Sequence, residues 1–344
     1  MRRSIAVTGL ALSAALTLSA CGGLDTGVTS TSSTTSSAGG SATGSAGGAG
    51  ESIPRPAACD EDSPYIAVAL PNLTNPYYVA MKAGFEDAGT AAGYTVEVQI
   101  AGDDDAQQLG QVQAMLEKKP CALALNAVKS APAAAIVKAA NDAGVPVFTV
   151  NVTVDPDALT SQGATIVQYL GADNAAGGTQ VGEQVLKDLG ADATLNIGFI
   201  TEPDEVPVVI RDEGFEKAVS ADANAKVVAK VDGNVKPDDS LAATAELLQG
   251  NPDVNVLFAS TGPAAYGALQ AIGGTDVKVY GFCAADEPLT DAYPACVAQE
   301  PNDYGKRVVE QIKGWLGGAT PEPEILRPLK LFVKGQTPAA GEVG

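Results

Sequence analysis

The 344-residue sequence contains no histidine. That excludes Ser-His-Asp and Cys-His catalysis and the ordinary zinc sites, all of which use an imidazole. No G-x-x-x-x-G-K-[ST] phosphate loop and no G-x-S-x-G elbow occurs either. Basic residues are scarce: 21 Lys and Arg stand against 41 Asp and Glu, a formal net charge of −20. Nucleic acid, whose phosphates need a basic face, is therefore excluded as an expected partner. Aromatics make up only 5% of the chain, so each one calls for a reason. A pair of carboxylates is the catalytic device that this composition leaves open. The run "GDDDA", Gly102 to Ala106, is better suited to cap the helix behind it than to hold a cation. "DPDALTSQG" is too short of oxygen ligands for calcium. Neither a metal nor a cofactor is expected, and the chain does not read as an enzyme.

What is present is a repeating pattern. Apolar runs of strand length are "YIAVAL", "YTVEVQI", "ALALNA", "PVFTVNV", "IVQYLGA", "LNIGFIT", "AKVVAKV", "VNVLFAS", "VKVYGFC" and "CVAQE". Helical segments separate most of them, near 76–92, 105–118, 132–143, 174–189, 206–220, 237–249 and 302–316. In the first, Tyr78, Met81, Phe85, Ala88 and Ala92 fall on one helical face. Gly93, Gly144, Gly190 and Gly250 stand at expected helix ends. The strands are continuous apolar runs rather than alternating ones, which is how parallel strands covered on both faces read. The fold class is therefore α/β, with ten strands divided between two doubly wound parallel-sheet lobes. In such folds ligands sit beyond the C-terminal strand ends. The stretch "NLTNPYY", Asn72 to Tyr78, is one of those ends.

The opening "MRRSIAVTGLALSAALTLSAC" has two arginines, an apolar run and small residues before Cys21, so 1–20 reads as a signal peptide. "LSAC" resembles the bacterial lipobox, which implies lipidation of Cys21. The Gly/Ser/Thr segment within 21–58 cannot bury a core and reads as a flexible tether. The expected location is outside the cell, lipid-anchored to the outer face of the cytoplasmic membrane. Four further cysteines remain, at 59, 121, 283 and 296, an even number that suggests two disulfides in an exported protein. Three connectivities are open. The preferred one pairs Cys59 with Cys121, tying the start of the folded part to a central strand. It then pairs Cys283 with Cys296, closing a short loop.

Six motifs in order resemble the ribose-type, type I periplasmic sugar-binding proteins of ABC importers. They are "NPYY", "GADNAAGG", "IRDEGF", "FASTGPAAYGAL", "VYGFC" and "VAQEPNDYG", spread over roughly 63–334. The resemblance implies two lobes joined by three crossovers that close on a ligand. One lobe would span 63–170 plus 299–327 and the other 171–298 plus 328–335. It implies ligand contacts from Asn75, Tyr77, Tyr78, Asn151, Asp173, Arg211, Thr261, Cys283 and Gln299. Four positions depart from the family pattern. Asn151-Val152 replaces Asp-Arg, Thr261-Gly262 replaces Asn-Asp, Cys283 replaces Asp, and Val235 stands near the second lobe's aromatic. Hydroxyl-matching groups dominate specificity in such sites. A smaller polyol, an unusual sugar or a sugar-derived signal is therefore expected rather than ribose, glucose or galactose.

Consecutive helical residues point about 100° apart, so Tyr77 and Tyr78 cannot both face the core, and at least one is expected to point to the cleft or solvent. An aromatic face suits the C–H face of a sugar ring, and the planar fork of Arg211 can hold two hydroxyl oxygens. The resulting expectation is a monomeric solute receptor that closes on a small neutral carbohydrate or polyol and docks with an ABC permease. Three rival readings are carried. Arg211 with Asp204, Glu205 and Asp286 could read a zwitterion or nucleoside. A carboxylate pair in the same cleft could hydrolyse its ligand. The receptor could serve a membrane sensor instead of an importer.

Overall fold

The computed structural model describes residues 54–190, 192–284 and 288–344. The 1–20 leader, Cys21, most of the 21–58 tether and Asp286 lie outside the described residues. The chain alternates β1 (Tyr65–Leu70), α1 (Pro76–Ala92), β2 (Thr95–Ile100), α2 (Asp105–Leu116), β3 (Ala122–Leu125), α3 (Ala133–Asp142), β4 (Val147–Val150), α4 (Pro156–Gln162) and β5 (Gln168–Ala172). It then runs through α5 (Asn174–Leu189), β6 (Leu195–Thr201), α6 (Val206–Val219), β7 (Ala225–Asp232), α7 (Pro237–Gly250) and β8 (Val256–Ala259). Next come α8 (Gly262–Ile272), β9 (Lys278–Phe282), β10 (Ala295–Ala298), α9 (Pro301–Leu316), β11 (Glu324–Arg327) and β12 (Lys330–Val333).

The strands form two six-stranded sheets, ordered β2-β1-β3-β4-β5-β11 and β7-β6-β8-β9-β10-β12. The two orders match position for position, so each sheet is the core of one α/β lobe. All pairings are parallel except that of β12 with β10. The chain passes between the lobes three times: from β5 into α5, from β10 into α9, and from β11 into β12.

The period of two in a strand explains how one sheet serves two helix layers. In β1, Ile66, Val68 and Leu70 enter a cluster with Met81 and Phe85 of α1 and Val308, Val309 and Ile312 of α9. The alternate Ala67 and Ala69 enter a second cluster with Val112 of α2 and Ile136 and Val137 of α3. Disulfides join Cys59 to Cys121, with Cα atoms 5.0 Å apart, and Cys283 to Cys296, with Cα atoms 4.9 Å apart.

Four elements go beyond the sequence expectation. Helix α8 is apolar nearly all round, "GPAAYGALQAI", so it shows no one-faced period. Helix α4 is only seven residues long. Strands β11 and β12 have four residues each and are held as edge strands by partners far away in sequence. Gly250 is the last residue of α7 rather than its cap, which falls to Asn251.

Helices α5 and α6 cross at two glycines. A Cβ on Gly178 would stand 2.0 Å from the Arg211 carbonyl oxygen, and one on Gly214 would stand 2.4 Å from the Ala175 carbonyl oxygen. Only a bare backbone permits this approach. It sets the height at which α6 presents Arg211 at the crossing between the lobes.

Candidate functional site

Helix α1 begins in the cleft. Asn75 is its N-cap, with Oδ1 accepting from the Tyr77 amide at 3.0 Å, and Pro76 occupies the first turn, where a missing N–H costs nothing. Side chains in a helix tilt toward its N-terminus. The rings of Tyr77 and Tyr78 therefore both lean past the helix end into the cleft. They meet edge to face, with centroids 5.5 Å apart. Both tyrosines line the cavity, and both are buried. Both also belong to the first lobe's hydrophobic cluster, so each serves the cleft and the core at once.

The Tyr77 hydroxyl lies 2.9 Å from Oδ1 of Asn151 and 3.0 Å from Oε1 of Gln299. A phenol has one proton, so one amide accepts it and the other, turned over, donates its NH2 to the phenol oxygen. Asn151 follows β4 and is held in the left-handed region at φ 58°. Its carbonyl accepts from the Tyr169 hydroxyl at 2.9 Å. The Tyr78 hydroxyl has no hydrogen-bond partner among the described residues and faces the cavity. Burial pushes both phenols well above the usual tyrosine range, so both stay protonated.

Arg211 enters from the other lobe and is only 4% exposed. Its Nε donates to Oδ1 of Asn174 at 2.7 Å and its Nη1 to the Ser260 carbonyl at 2.9 Å. The guanidinium lies 4.0 Å over the Phe282 ring, a cation–π contact. Nη2 has no acceptor among the described residues. Arg211 is thus fixed on two sides and keeps donors for a third partner. Asp212 braces this arrangement from behind: its carboxylate accepts from the hydroxyls of Thr201 and Ser260.

Glu205, the residue before α6, also lines the cavity. Burial, reinforced by the neighbouring Glu202, pushes its carboxyl up to about 8. Burial, with Asp232 nearby, pushes Glu202 up to about 7. At neutral pH Glu205 is a carboxylic acid that can donate as well as accept.

Seven of the nine expected ligand residues share one cavity: Asn75, Tyr77, Tyr78, Asn151, Arg211, Thr261 and Gln299. Asp173 and Cys283 do not line it. The Asp173 carboxylate caps α5 by accepting from the Ala176 amide at 3.1 Å. The Cys283 sulfur is consumed in its disulfide and fully buried. The Thr261 hydroxyl is partly engaged as well, accepting from the Ala264 amide as the cap of α8. Asp204 sits at the mouth, where Lys129 of the other lobe pairs with it. Val152, which stands where the family pattern has an arginine, lines the cavity, as do Pro207 and Gly344, which sequence reasoning did not name. Only the proline carried a signal, as a second residue at a helix start. Val235 lines it too, at φ 50° and next to Asn234 at φ 51°. A β-branched residue in that region is strained.

The lobes touch across the mouth. The Ser130 amide donates to the Asp204 carbonyl at 3.0 Å, and the Val206 amide donates to the Ser130 hydroxyl at 2.9 Å. The cavity that remains measures about 20 Å³. This is the closed arrangement of a two-lobed cleft.

The family model described as the periplasmic binding protein domain matches residues 66–320. The chain belongs to that family. It is 31% identical over 274 residues to the ribose import binding protein of Bacillus subtilis, covering 77% of this chain and 86% of that protein. It is 29% identical over 280 residues to the Escherichia coli counterpart, covering 78% and 90%. Among solved structures, an ABC transporter solute-binding protein from Mycobacterium smegmatis with bound glycerol superposes with a TM-score of 0.75. Its identity is 23%, over 82% of this chain and 99% of that one. A binding protein of this family is a non-enzymatic component of transport, which agrees with the missing histidine and nucleophile motifs. Among the described residues, no group of side chains could hold a metal, and no helix is long and apolar enough to cross a membrane.

Proposed function

We propose that this binding protein captures a small neutral carbohydrate or polyol by closure of its two lobes, without making or breaking a bond. The observation that carries the reading is one cavity joining two tyrosines and three amides of the first lobe and the crossings to a buried arginine of the second. The tyrosine rings suit a C–H face. Nη2 of Arg211, the Tyr78 hydroxyl, the Asn75 amide and the neutral Glu205 carboxyl suit hydroxyl groups. The relatives named for ribose import and the neighbour with bound glycerol support this ligand class. Ligand drives closure to the extent that it binds the closed form better than the open one.

The lobes that move are assigned to 63–170 plus 299–327 and to 171–298 plus 328–335. The ligand set is assigned to the seven cavity residues above, with Asp173 and Cys283 supporting it from outside. The protein is assigned as a monomer that delivers its ligand to an ABC permease, held to the outer face of the cytoplasmic membrane through a lipid on Cys21. Calorimetric titration with polyols, pentoses, hexoses, nucleosides and amino acids tests the ligand class. Heat with polyols or sugars alone is expected, and binding of only an amino acid or nucleoside overturns the reading. Labelled palmitate should enter the full chain and not its Cys21→Ala variant.

A further inference from the structure

Glu205 sits where the two lobes meet. It stands at the N-cap of α6 in lobe two, yet its side chain makes no cap hydrogen bond. Its carboxyl has no hydrogen-bond partner among the described residues, although the residue is only 8% exposed and lines the cavity. The residues on either side of it carry the contact between the lobes. Ser130 of lobe one donates its amide to the Asp204 carbonyl and accepts at its hydroxyl from the Val206 amide. Lobe one fixes this turn from behind. The Ser130 carbonyl accepts from the Asp155 amide at 3.0 Å, and Oε1 of the buried Gln108 accepts from the Val128 amide at 3.0 Å. One serine of lobe one thus holds lobe two immediately before and immediately after Glu205, and the carboxyl between faces the cavity it shares with Tyr78.

The charges around this corner come from both lobes. Glu202, Asp204, Arg211 and Asp232 face it from lobe two, and Asp103, Asp105, Lys129 and the Tyr78 phenol from lobe one. Lys129 is already paired with Asp204, and Arg211 already donates to Asn174 and the Ser260 carbonyl. No cation forms an ion pair with Glu205 among the described residues. Arg211, Lys129 and the helix start favour an ionised carboxyl, while burial, Glu202 and Asp103 oppose it. Burial prevails, and the carboxyl is pushed up to about 8. Parting the lobes breaks the two Ser130 bonds, removes Asp103, Lys129 and Tyr78, and brings water to the carboxyl. It then returns toward its ordinary value of 4.5.

We propose that closing the cleft moves a proton from solvent onto the Glu205 carboxylate, and that opening gives it back. The cleft therefore closes more readily in acid and loosens as pH rises. This rests on the lobe movement assigned above and not on the class of ligand. The closed form keeps a proton that the open form releases. Its advantage is complete below pH 4.5 and is lost as pH climbs through about 8. Between those values the closing constant should fall by up to about tenfold per pH unit.

Hydrogen exchange at the Ser130 and Val206 amides reads the contact between the lobes directly and needs no ligand. In the full chain their protection, corrected for the intrinsic pH dependence of exchange, should fall by about a hundredfold between pH 5.5 and 7.5. In the Glu205→Gln variant, whose side chain stays neutral, protection should be level across that range. Protection in the full chain that does not change with pH overturns the proposal. So does a variant that keeps the full chain's pH dependence. If the variant does not fold, the carboxyl carbon resonance of Glu205 in the full chain decides, and a titration midpoint near 4.5 overturns the proposal. Glycerol and D-ribose are titrated separately by calorimetry. Absence of binding heat with both counts against the carbohydrate reading and leaves the exchange result standing, whereas pH-independent exchange with binding heat removes the proton coupling alone.

Discussion

The hydroxyl of Tyr77 lies 3.0 Å from Oε1 of Gln299, a residue 222 positions further along the chain. One contact thus joins the first strand-to-helix turn to the second crossover between the lobes. Because Asn151 takes the other side of the same hydroxyl, three widely separated strand ends are held together by one phenol.

Tyr77→Phe and Tyr78→Phe should separate. The first leaves two buried amides short of a partner and should cost about 1–3 kcal/mol of stability as well as affinity. The second removes a hydroxyl with no protein partner, so the melting temperature should hold while affinity falls. Thermal melts and titration calorimetry on both variants check this. Equal melting temperatures for the two would contradict the described network.

Arg211→Lys should lower affinity by about a hundredfold or more, since an ammonium cannot hold Asn174, Ser260 and a ligand in one plane. It should also cost about 1–3 kcal/mol of stability, because the Asn174 and Ser260 acceptors are buried. Chemical denaturation measures the second effect independently of ligand.

Stability should fall as pH rises between about 5 and 8. Glu205 and Glu202 have folded values of about 8 and about 7, both raised from 4.5. The folded state therefore keeps protons that the unfolded chain has released. The associated stability is complete below pH 4.5 and is lost as pH climbs through the two folded values. The slope is at most about 1.4 kcal/mol per pH unit for each carboxyl. The absence of histidine makes the window diagnostic, since no side chain of ordinary pKa titrates there. Glu205→Gln should flatten the profile, and a denaturation series at pH 5, 6, 7 and 8 reads it.

Gly178→Ala should push α6 away from α5, because its Cβ would meet the Arg211 carbonyl oxygen at 2.0 Å. A loss of about 1–3 kcal/mol is expected, with ligand affinity falling although the substitution touches no ligand. Unchanged affinity would show that the helix crossing does not position the guanidinium.

The denatured, unreduced protein should show no reactive thiol among the cysteines at 59, 121, 283 and 296. Replacing Cys59 and Cys121 together by serine should cost about 4 kcal/mol and replacing Cys283 and Cys296 about 3 kcal/mol, by loop entropy. The sequence separations behind those figures are 62 and 13.

The sequence by itself determined the α/β class, the two lobes and most elements, because hydrophobic period and helix caps are local properties of the chain. Helix α1 begins at Pro76 and ends at Ala92 as its pattern indicates, and the two glycine motifs that seat α5 on α6 are visible as "AAGG" and "EGF". The strand ends that could carry a site were legible for the same reason: the fold class names them in advance. Tertiary structure decided what local pattern does not encode. Four-residue strands such as β11 exist only because a partner in another part of the chain completes their hydrogen bonds. Both tyrosines reach one cleft because a helix end faces it. Asp173 serves its helix rather than the cavity. Gly344 is held at the cavity by main-chain bonds to Gly262 and Cys283, segments that are far apart in sequence and show no side-chain signature.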